Sequence, residues 1–323
     1  MYETRKLKFK VFRFNVEHDY LPAYQLFELE VAREEVMLDV LNRIKWEQDP
    51  TLSYRRSCRH GICGSCGIKV NSKSIIACKE SVWKMADLFG DEMVIEPQDT
   101  KLAVKDLIID KKRFWENYQA VEPWLQAPID AAPQKEYLIE PHLAEELDEA
   151  DACIQCGACY YACSAASVNP EFFGPAALAK AYRFTADVRD TQKAHRLRVI
   201  NQLGSGIWDC VKCMECAEAC PKGVNPIGKI FKLHNQTFEE GVHEKNVATR
   251  HAVVFKNSIA KYGPLDEAEN VRYSEGTLGA LKHMGEAMAM LRRGKLPLPG
   301  RVHKSKNHDE IKTLIKSASK NKF

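Results

Sequence analysis

Twelve cysteines fall in three clumps of four: Cys58, Cys63, Cys66 and Cys78; Cys153, Cys156, Cys159 and Cys163; Cys210, Cys213, Cys216 and Cys220. No cysteine lies elsewhere in the chain. Disulfide frameworks belong to small, loop-rich secreted domains, and cysteines only three apart are poorly placed to bridge each other. Thiolates are also soft metal ligands, and three sets of four is what three iron–sulfur clusters with cysteine ligation require. Structural zinc shares the CxxC pair and is the alternative for any one clump taken alone. All three clumps together favour clusters.

Cys58-x4-Cys63-x2-Cys66, closed by Cys78, has the spacing of a plant-type 2Fe-2S ferredoxin. Such a loop wraps a cluster tightly, and Gly61, Gly64 and Gly67 give it the dihedral freedom to do so. His60 sits inside the loop and could be read as a Rieske-type ligand, but four cysteines already stand there, which favours a surface or sulfur-contacting role. Arg55, Arg56 and Arg59 surround it, either as solvated charges or to raise a potential and dock an acidic partner. Cys153-x2-Cys156-x2-Cys159-x3-Cys163 and Cys210-x2-Cys213-x2-Cys216-x3-Cys220-Pro221 are two bacterial ferredoxin runs, in which the fourth cysteine serves the other cluster. Crosswise pairing assigns one 4Fe-4S cluster to Cys153, Cys156, Cys159 and Cys220. A second 4Fe-4S cluster falls to Cys163, Cys210, Cys213 and Cys216.

The elements that must carry these loops predict an α+β protein. Residues 1–105 read as a β-grasp 2Fe-2S ferredoxin domain. Lys8–Asn15 and Tyr24–Ala32 alternate like half-buried strands, Val36–Trp46 has helical spacing, and Met93–Glu96 is a further short strand. Gly67–Val70 and Ser74–Ala77 flank the turn Asn71-Ser72-Lys73 as a hairpin. Residues 106–142 form a connector, extended over Val121–Gln134 by Pro123, Pro128 and Pro133. Residues 143–241 read as an α-helical two-cluster ferredoxin domain, with helices at Ala176–Phe184, Gln192–Leu203 and Pro226–Glu239. Residues 242–323 form a basic extension with sixteen Lys/Arg against eight Asp/Glu. Its end, Lys304–Phe323, is expected to be a solvated, partly disordered tail. Ala287–Leu291 and Ile311–Ile315 are the stretches that could form short amphipathic helices and dock on a partner.

At 323 residues, 45% hydrophobic and 28% charged, the chain suits two modest globular domains. No stretch approaches the ~20 apolar residues of a membrane span, and the basic, alternating start MYETRKLKFKVFRFN does not read as a signal peptide. The ten histidines are scattered. Neither a phosphate-binding glycine loop nor a nucleophile–base set stands in a supporting context, so no catalytic residue is assigned to this chain.

SCRHGICGSCGIKVNSKSIIAC, CIQCGACYYAC, FFGPAALAKAYRFTADVRD and CAEACPKGVNP closely resemble the iron–sulfur subunit of succinate dehydrogenase and fumarate reductase. The resemblance implies a partner flavoprotein that interconverts succinate and fumarate at FAD. It further implies a relay through the Cys58–Cys78 cluster and the Cys153/Cys156/Cys159/Cys220 cluster to a third, and from there to quinone. Common members lack a ligand where Cys213 stands and hold a 3Fe-4S cluster, so Cys213 either completes a cubane or is an unligating thiol. They also place Pro and Trp after the counterpart of Cys163, and His after that of Cys210, to form a quinone pocket. Here the chain reads Ser164-Ala165-Ala166-Ser167 and Val211. The stretches YGPLDE and MLRRGKLPLPGRVHK are similar to the end of a small heterodisulfide reductase subunit that hands electrons to a CCG-domain partner.

These departures resemble the type E class, including methylmenaquinol:fumarate reductases, in which a membrane-associated CCG-domain subunit replaces the haem-bearing anchor. The chain is then a peripheral membrane component held by its partners, on the cytoplasmic face by default or on the periplasmic face by co-export with the flavoprotein. The alternative within redox chemistry is a thiol-driven fumarate reductase or heterodisulfide-reductase-like complex. A zinc-stabilised nucleic-acid module is the alternative outside it. The basic tail lacks the interleaved aromatics that stack bases, so no nucleic-acid partner is expected.

Overall fold

The computed structural model describes residues 3–128, 136–295, 302 and 304–320. It contains two compact units, residues up to Val242 and residues from His243 onward.

In the first unit, β1 (Thr4–Arg13) alternates buried and exposed residues from Leu7 to Val11, and β2 (Ala23–Ala32) does so from Phe27 to Val31 after an exposed start. Helix α1 (Met37–Arg43) follows and runs into a wider π-type turn at Ile44–Gln48. Strands β3 (Gly67–Val70) and β4 (Lys73–Ile76), helix α2 (Val82–Phe89) and strand β5 (Glu92–Glu96) complete the domain. The sheet order is β2-β1-β5-β3-β4, with β1 and β5 parallel at the centre and the outer pairs antiparallel. That is the β-grasp arrangement. Leu7, Phe9, Val11, Leu29, Val31, Met93 and Ile95 from the sheet meet Leu38, Leu41, Val82 and Met85 from the helices in one core.

The hairpin turn is one residue tighter than the sequence suggests. Val70 pairs with Lys73, leaving Asn71 and Ser72 as a two-residue turn at φ 45° and 68°. Left-handed values at both central residues match the twist of the strands, and Asn tolerates them. The Asn71 side chain also accepts the Val94 N–H at 2.7 Å, which fixes the hairpin to β5.

The stretch expected to be connector begins with structure of its own. Strands β6 (Ala103–Lys105) and β7 (Ile108–Ile109) form a small ribbon, and helix α3 (Lys112–Ala120) follows. Between the strands, the buried carboxylate of Asp106 accepts from Arg13 Nε at 3.0 Å, Phe14 N at 3.2 Å and Ser53 N at 2.8 Å. One acid thereby ties three segments of the first domain. Residues 121–128 carry no helix or strand, as the prolines suggest; the rest of the predicted extended segment, including Pro133, lies outside the described residues.

Helices α4 (Pro141–Asp151), α5 (Ala158–Tyr161), α6 (Ser164–Val168), α7 (Gly174–Thr185), α8 (Lys193–Ile200), α9 (Glu215–Glu218) and α10 (Pro226–Glu239) build the second domain. Helix α7 is central and packs against α3, α4, α5, α8 and α10. Leu178, Tyr182, Leu197, Ile230 and Leu233 share its core with Phe114 and Tyr118 of α3.

The second unit contains α11 (Val247–Tyr262), α12 (Glu267–Lys282), α13 (Met284–Arg292) and α14 (His308–Lys320), with α11 packed on both α12 and α14. The expectation of a solvated, disordered tail from Lys304 is therefore corrected. Residues 308–320 form a regular helix that packs on α11, with Ile311 and Ile315 half-buried at helical spacing and Leu314 exposed.

Arg196 on α8 holds the irregular segment in place. Its side chain is 1% exposed and pairs with the fully buried Asp190 at 2.9 Å. The same guanidinium donates to the carbonyl oxygens of Val121, Glu122 and Trp124. Replacing one partner of a buried pair leaves the other uncompensated, at about 3–5 kcal/mol. Arg196→Met is expected to lower stability by that order in denaturant unfolding and to expose residues 121–126 to protease. An unchanged midpoint would remove this clamp from the account of the fold.

Candidate metal centres

The first four cysteines gather at one end of the β-grasp sheet. Cys58 and Cys63 lie on the loop before β3, Cys66 immediately precedes that strand, and Cys78 follows β4. Left-handed backbone at Arg59 (φ 58°), Gly61 (68°) and Gly64 (68°) curls the loop. The curl aims N–H groups at sulfur: His60 N and Cys63 N at Cys58 Sγ, 3.3 and 3.4 Å, and Gly61 N at Cys78 Sγ, 3.2 Å. The N–H groups of Ile62, His60 and Cys63 draw the Cys58 thiol down to about 6, so it favours the thiolate at neutral pH. Burial pushes Cys66 up to about 12. The His60 ring turns to the Cys58 carbonyl oxygen, and Arg56 lies over the Trp46 ring at 5.5 Å while donating to Asn42.

Two further cavities lie in the helical domain. Cys153, Cys156, Cys159 and Cys220 line one of about 370 Å³ with Ile154, Pro221 and Val224. Cys163, Cys210, Cys213 and Cys216 line another of about 310 Å³ with Phe172, Met214 and Ile230. Each brings three thiols from one run together with one from the other, which is the crosswise grouping the spacing suggests. Burial raises Cys159 well above the ordinary thiol range and Cys216 to about 12. Thiols in such surroundings stay protonated unless a metal replaces the proton. Four soft donors around one space, with the Val224 N–H pointing at Cys220 Sγ in the first, fit an iron–sulfur cluster in their chemistry.

The two runs share a backbone conformation. The residue before the second cysteine is left-handed in both, Gln155 at φ 55° and Lys212 at φ 60°. So is the residue after it, Gly157 at 89° and Met214 at 69°. Each then starts a single-turn helix, α5 or α9. Cys213 therefore occupies the same place in its run as Cys156 does in the other, and it is exposed at the mouth of its cavity.

Lys111 and Gly64 meet the second group in ways the sequence reading missed. Lys111 Nζ donates to the Cys156 carbonyl at 2.8 Å, and burial draws its pKa down. A β-carbon on Gly64 would stand 2.5 Å from the Ile154 carbonyl oxygen and 2.9 Å from Cys156 N. The first cysteine loop and the loop of Cys153–Cys156 thus touch backbone to backbone. In the sequence Gly64 has only the role of a turn; the close approach to Ile154 is added by the structure. Met214 was detectable by overlaying the two runs, since it stands where Gly157 does; for Lys111 the sequence carries no signal.

Gly64→Ala combines a left-handed penalty of about 1–2 kcal/mol with overlap against Ile154. A lower melting temperature for the iron-loaded protein is the expected result, and an unchanged one would show that the loops have slack. Cys216 lies in the hydrophobic core that α7 and α10 share, with Cys159, Cys163 and Cys210 packed against it, so a metal on these thiols would be part of the domain's fold. Chelation of iron is expected to abolish much of the helical circular dichroism of the second domain; full retention would separate folding from the thiol sites.

Comparison with known proteins agrees with this geometry. Residues 8–116 match the family model of the 2Fe-2S iron-sulfur cluster binding domain, and residues 149–224 match that of the 4Fe-4S dicluster domain. The chain is 38% identical over 232 residues to the fumarate reductase iron-sulfur subunit of Haemophilus influenzae, covering 68% of this chain and 89% of that one. It is 37% identical over 237 residues to the succinate dehydrogenase iron-sulfur subunit of Coxiella burnetii, covering 72% and 98%. The mitochondrial succinate dehydrogenase [ubiquinone] iron-sulfur subunit 3 of Arabidopsis thaliana is 35% identical, over 72% and 75%. A chain of the Mycobacterium smegmatis Sdh1 complex shares the fold, with a TM-score of 0.65 at 24% identity over 74% of this chain and 98% of that one. With its 2Fe-2S domain, its 4Fe-4S dicluster domain and these relatives, the chain belongs to the iron–sulfur subunits of the succinate dehydrogenase and fumarate reductase family.

Proposed function

We propose that this subunit carries electrons between a flavoprotein that interconverts succinate and fumarate at FAD and a quinone-reactive partner. One 2Fe-2S cluster is held by Cys58, Cys63, Cys66 and Cys78. One 4Fe-4S cluster is held by Cys153, Cys156, Cys159 and Cys220, and a second by Cys163, Cys210, Cys213 and Cys216. Bound there, the clusters supply one-electron carriers. The protein's own work is to hold the thiols, aim N–H groups at sulfur and keep two cysteine loops in contact at Gly64.

The single observation behind a four-iron third cluster is the shared left-handed backbone of the two runs, which puts Cys213 in the register of Cys156. A fourth thiolate, the absence of Pro, Trp and His at the usual quinone-pocket positions, and a separate helical unit after Val242 all favour the type E class with a CCG-domain partner. Among the described residues no helix is long and apolar enough to cross a membrane. Membrane association is accordingly assigned to the partners, at the cytoplasmic face or, after co-export, the periplasmic one.

Low-temperature electron paramagnetic resonance of the anaerobically purified complex tests this. The oxidised protein is expected to lack a stoichiometric three-iron signal, and reduction should reveal one 2Fe-2S and two interacting four-iron clusters. Cys213→Ser should produce the three-iron signal and leave the other two clusters intact. A near-stoichiometric three-iron signal in the unaltered protein, or unchanged iron content and spectra in Cys213→Ser, would remove Cys213 from the ligand set.

A further inference from the structure

Gln98 lies just after β5, behind Pro97, and is 1% exposed. Both Nε2 and Oε1 of its carboxamide are buried, and neither has a hydrogen-bond partner. Buried amides are ordinarily satisfied, so an orphaned one signals an acceptor or donor supplied by something other than the chain. Its position says what that is. A β-carbon on Gly67 would lie 2.3 Å from Gln98 Nε2, and one on Gly157 would lie 3.6 Å from Oε1. Gly67 directly follows Cys66, and Gly157 directly follows Cys156. The carboxamide is thus wedged between the cysteine loops of two neighbouring centres, with its donor end toward the first.

We propose that Gln98 is a positioning residue whose Nε2–H donates a hydrogen bond to a sulfur of the cluster held by Cys58, Cys63, Cys66 and Cys78, on the side that faces the second centre. The proposal rests on the cysteine assignment given above. Sulfur is an acceptor only, which matches the donor left unmet at Nε2, and glycine at 67 is what lets the amide come so close. An N–H dipole aimed at sulfur favours the extra negative charge of the reduced state and raises the potential. Placed at this junction, the bond would raise the first cluster's potential relative to the second and so contribute to the difference between them.

Redox titration of the intact complex, followed by electron paramagnetic resonance, tests the assignment. Gln98→Leu and Gln98→Met keep side-chain bulk without the donor, and each is expected to shift the 2Fe-2S signal to lower potential while the four-iron potentials hold. Pulsed measurements on the unaltered chain, labelled with 15N in its glutamine side chains, should show a 15N coupling on the reduced 2Fe-2S signal. Gln98→Leu should lose that coupling. Where both variants fail to assemble the cluster, the coupling in the unaltered chain decides. Unchanged potentials in an assembled variant, or no side-chain 15N coupling in the unaltered chain, would overturn the proposal. A complex with no 2Fe-2S signal at all would instead overturn the cysteine assignment, so the two failures are distinguishable.

Discussion

Four thiols can enclose one cavity only if the chain returns to it, and in the helical domain the return is made from a distant segment. Cys220 closes the group begun by Cys153, and Cys163 completes the group that Cys210 begins. Neither cavity exists until α7 and α8, which lie between the runs in sequence, have packed and brought α5 beside α9. Much of the domain serves that closure. Helix α7 is packed on five neighbours, and Arg196 with Asp190 clamps the irregular segment against the turn before α8. The sites are short, strained loops resting on helices whose own hydrophobic packing places them.

A second constraint joins the two domains. The first cysteine loop approaches the second group so closely that Gly64 has no room for a side chain, and its φ of 68° is one that side chains disfavour. Cys156 and Ala158 belong to the same hydrophobic core as the β-grasp sheet. Lys111, from the element that links the domains, donates to the Cys156 carbonyl and places a cation beside that thiol group. The first and second cysteine groups thus meet in a close backbone contact within the protein. Cys63 is exposed at one end of the series and Cys213 at the other.

Much of this was legible in the sequence, for physical reasons. Strand alternation, the cysteine spacings and the proline at the start of α10 each report a local constraint, and the structure honours them with shifts of a few residues. Features that depend on contacts across the chain were not legible. Asp106 reads as an ordinary loop acid, yet it accepts from two segments far from it in sequence, Arg13–Phe14 and Ser53. Gln98 reads as a polar residue after a strand, and only packing of the two domains buries it. The tail misled because its composition is basic while its apolar residues are spaced to cover one helix face, and spacing decided the outcome. The two-residue hairpin turn was blurred because Lys73 can follow a turn or begin a strand, and pairing with Val70 makes it the latter.

Met214 shows what holds the third group together. Glycine occupies the matching place in the other run, where φ is 89°, whereas a methionine is kept at φ 69° with its left-handed cost intact. Such conformations persist where the surroundings over-determine them. Nothing within the four residues of α9 is strong enough to do that alone. Cys210, Cys213 and Cys216 all line one cavity, and Lys212 and Met214 between them hold left-handed dihedrals. The shared two-residue spacing, left-handed pair and following helical turn are the features on which the proposal above gives Cys213 the place that Cys156 holds in the other run.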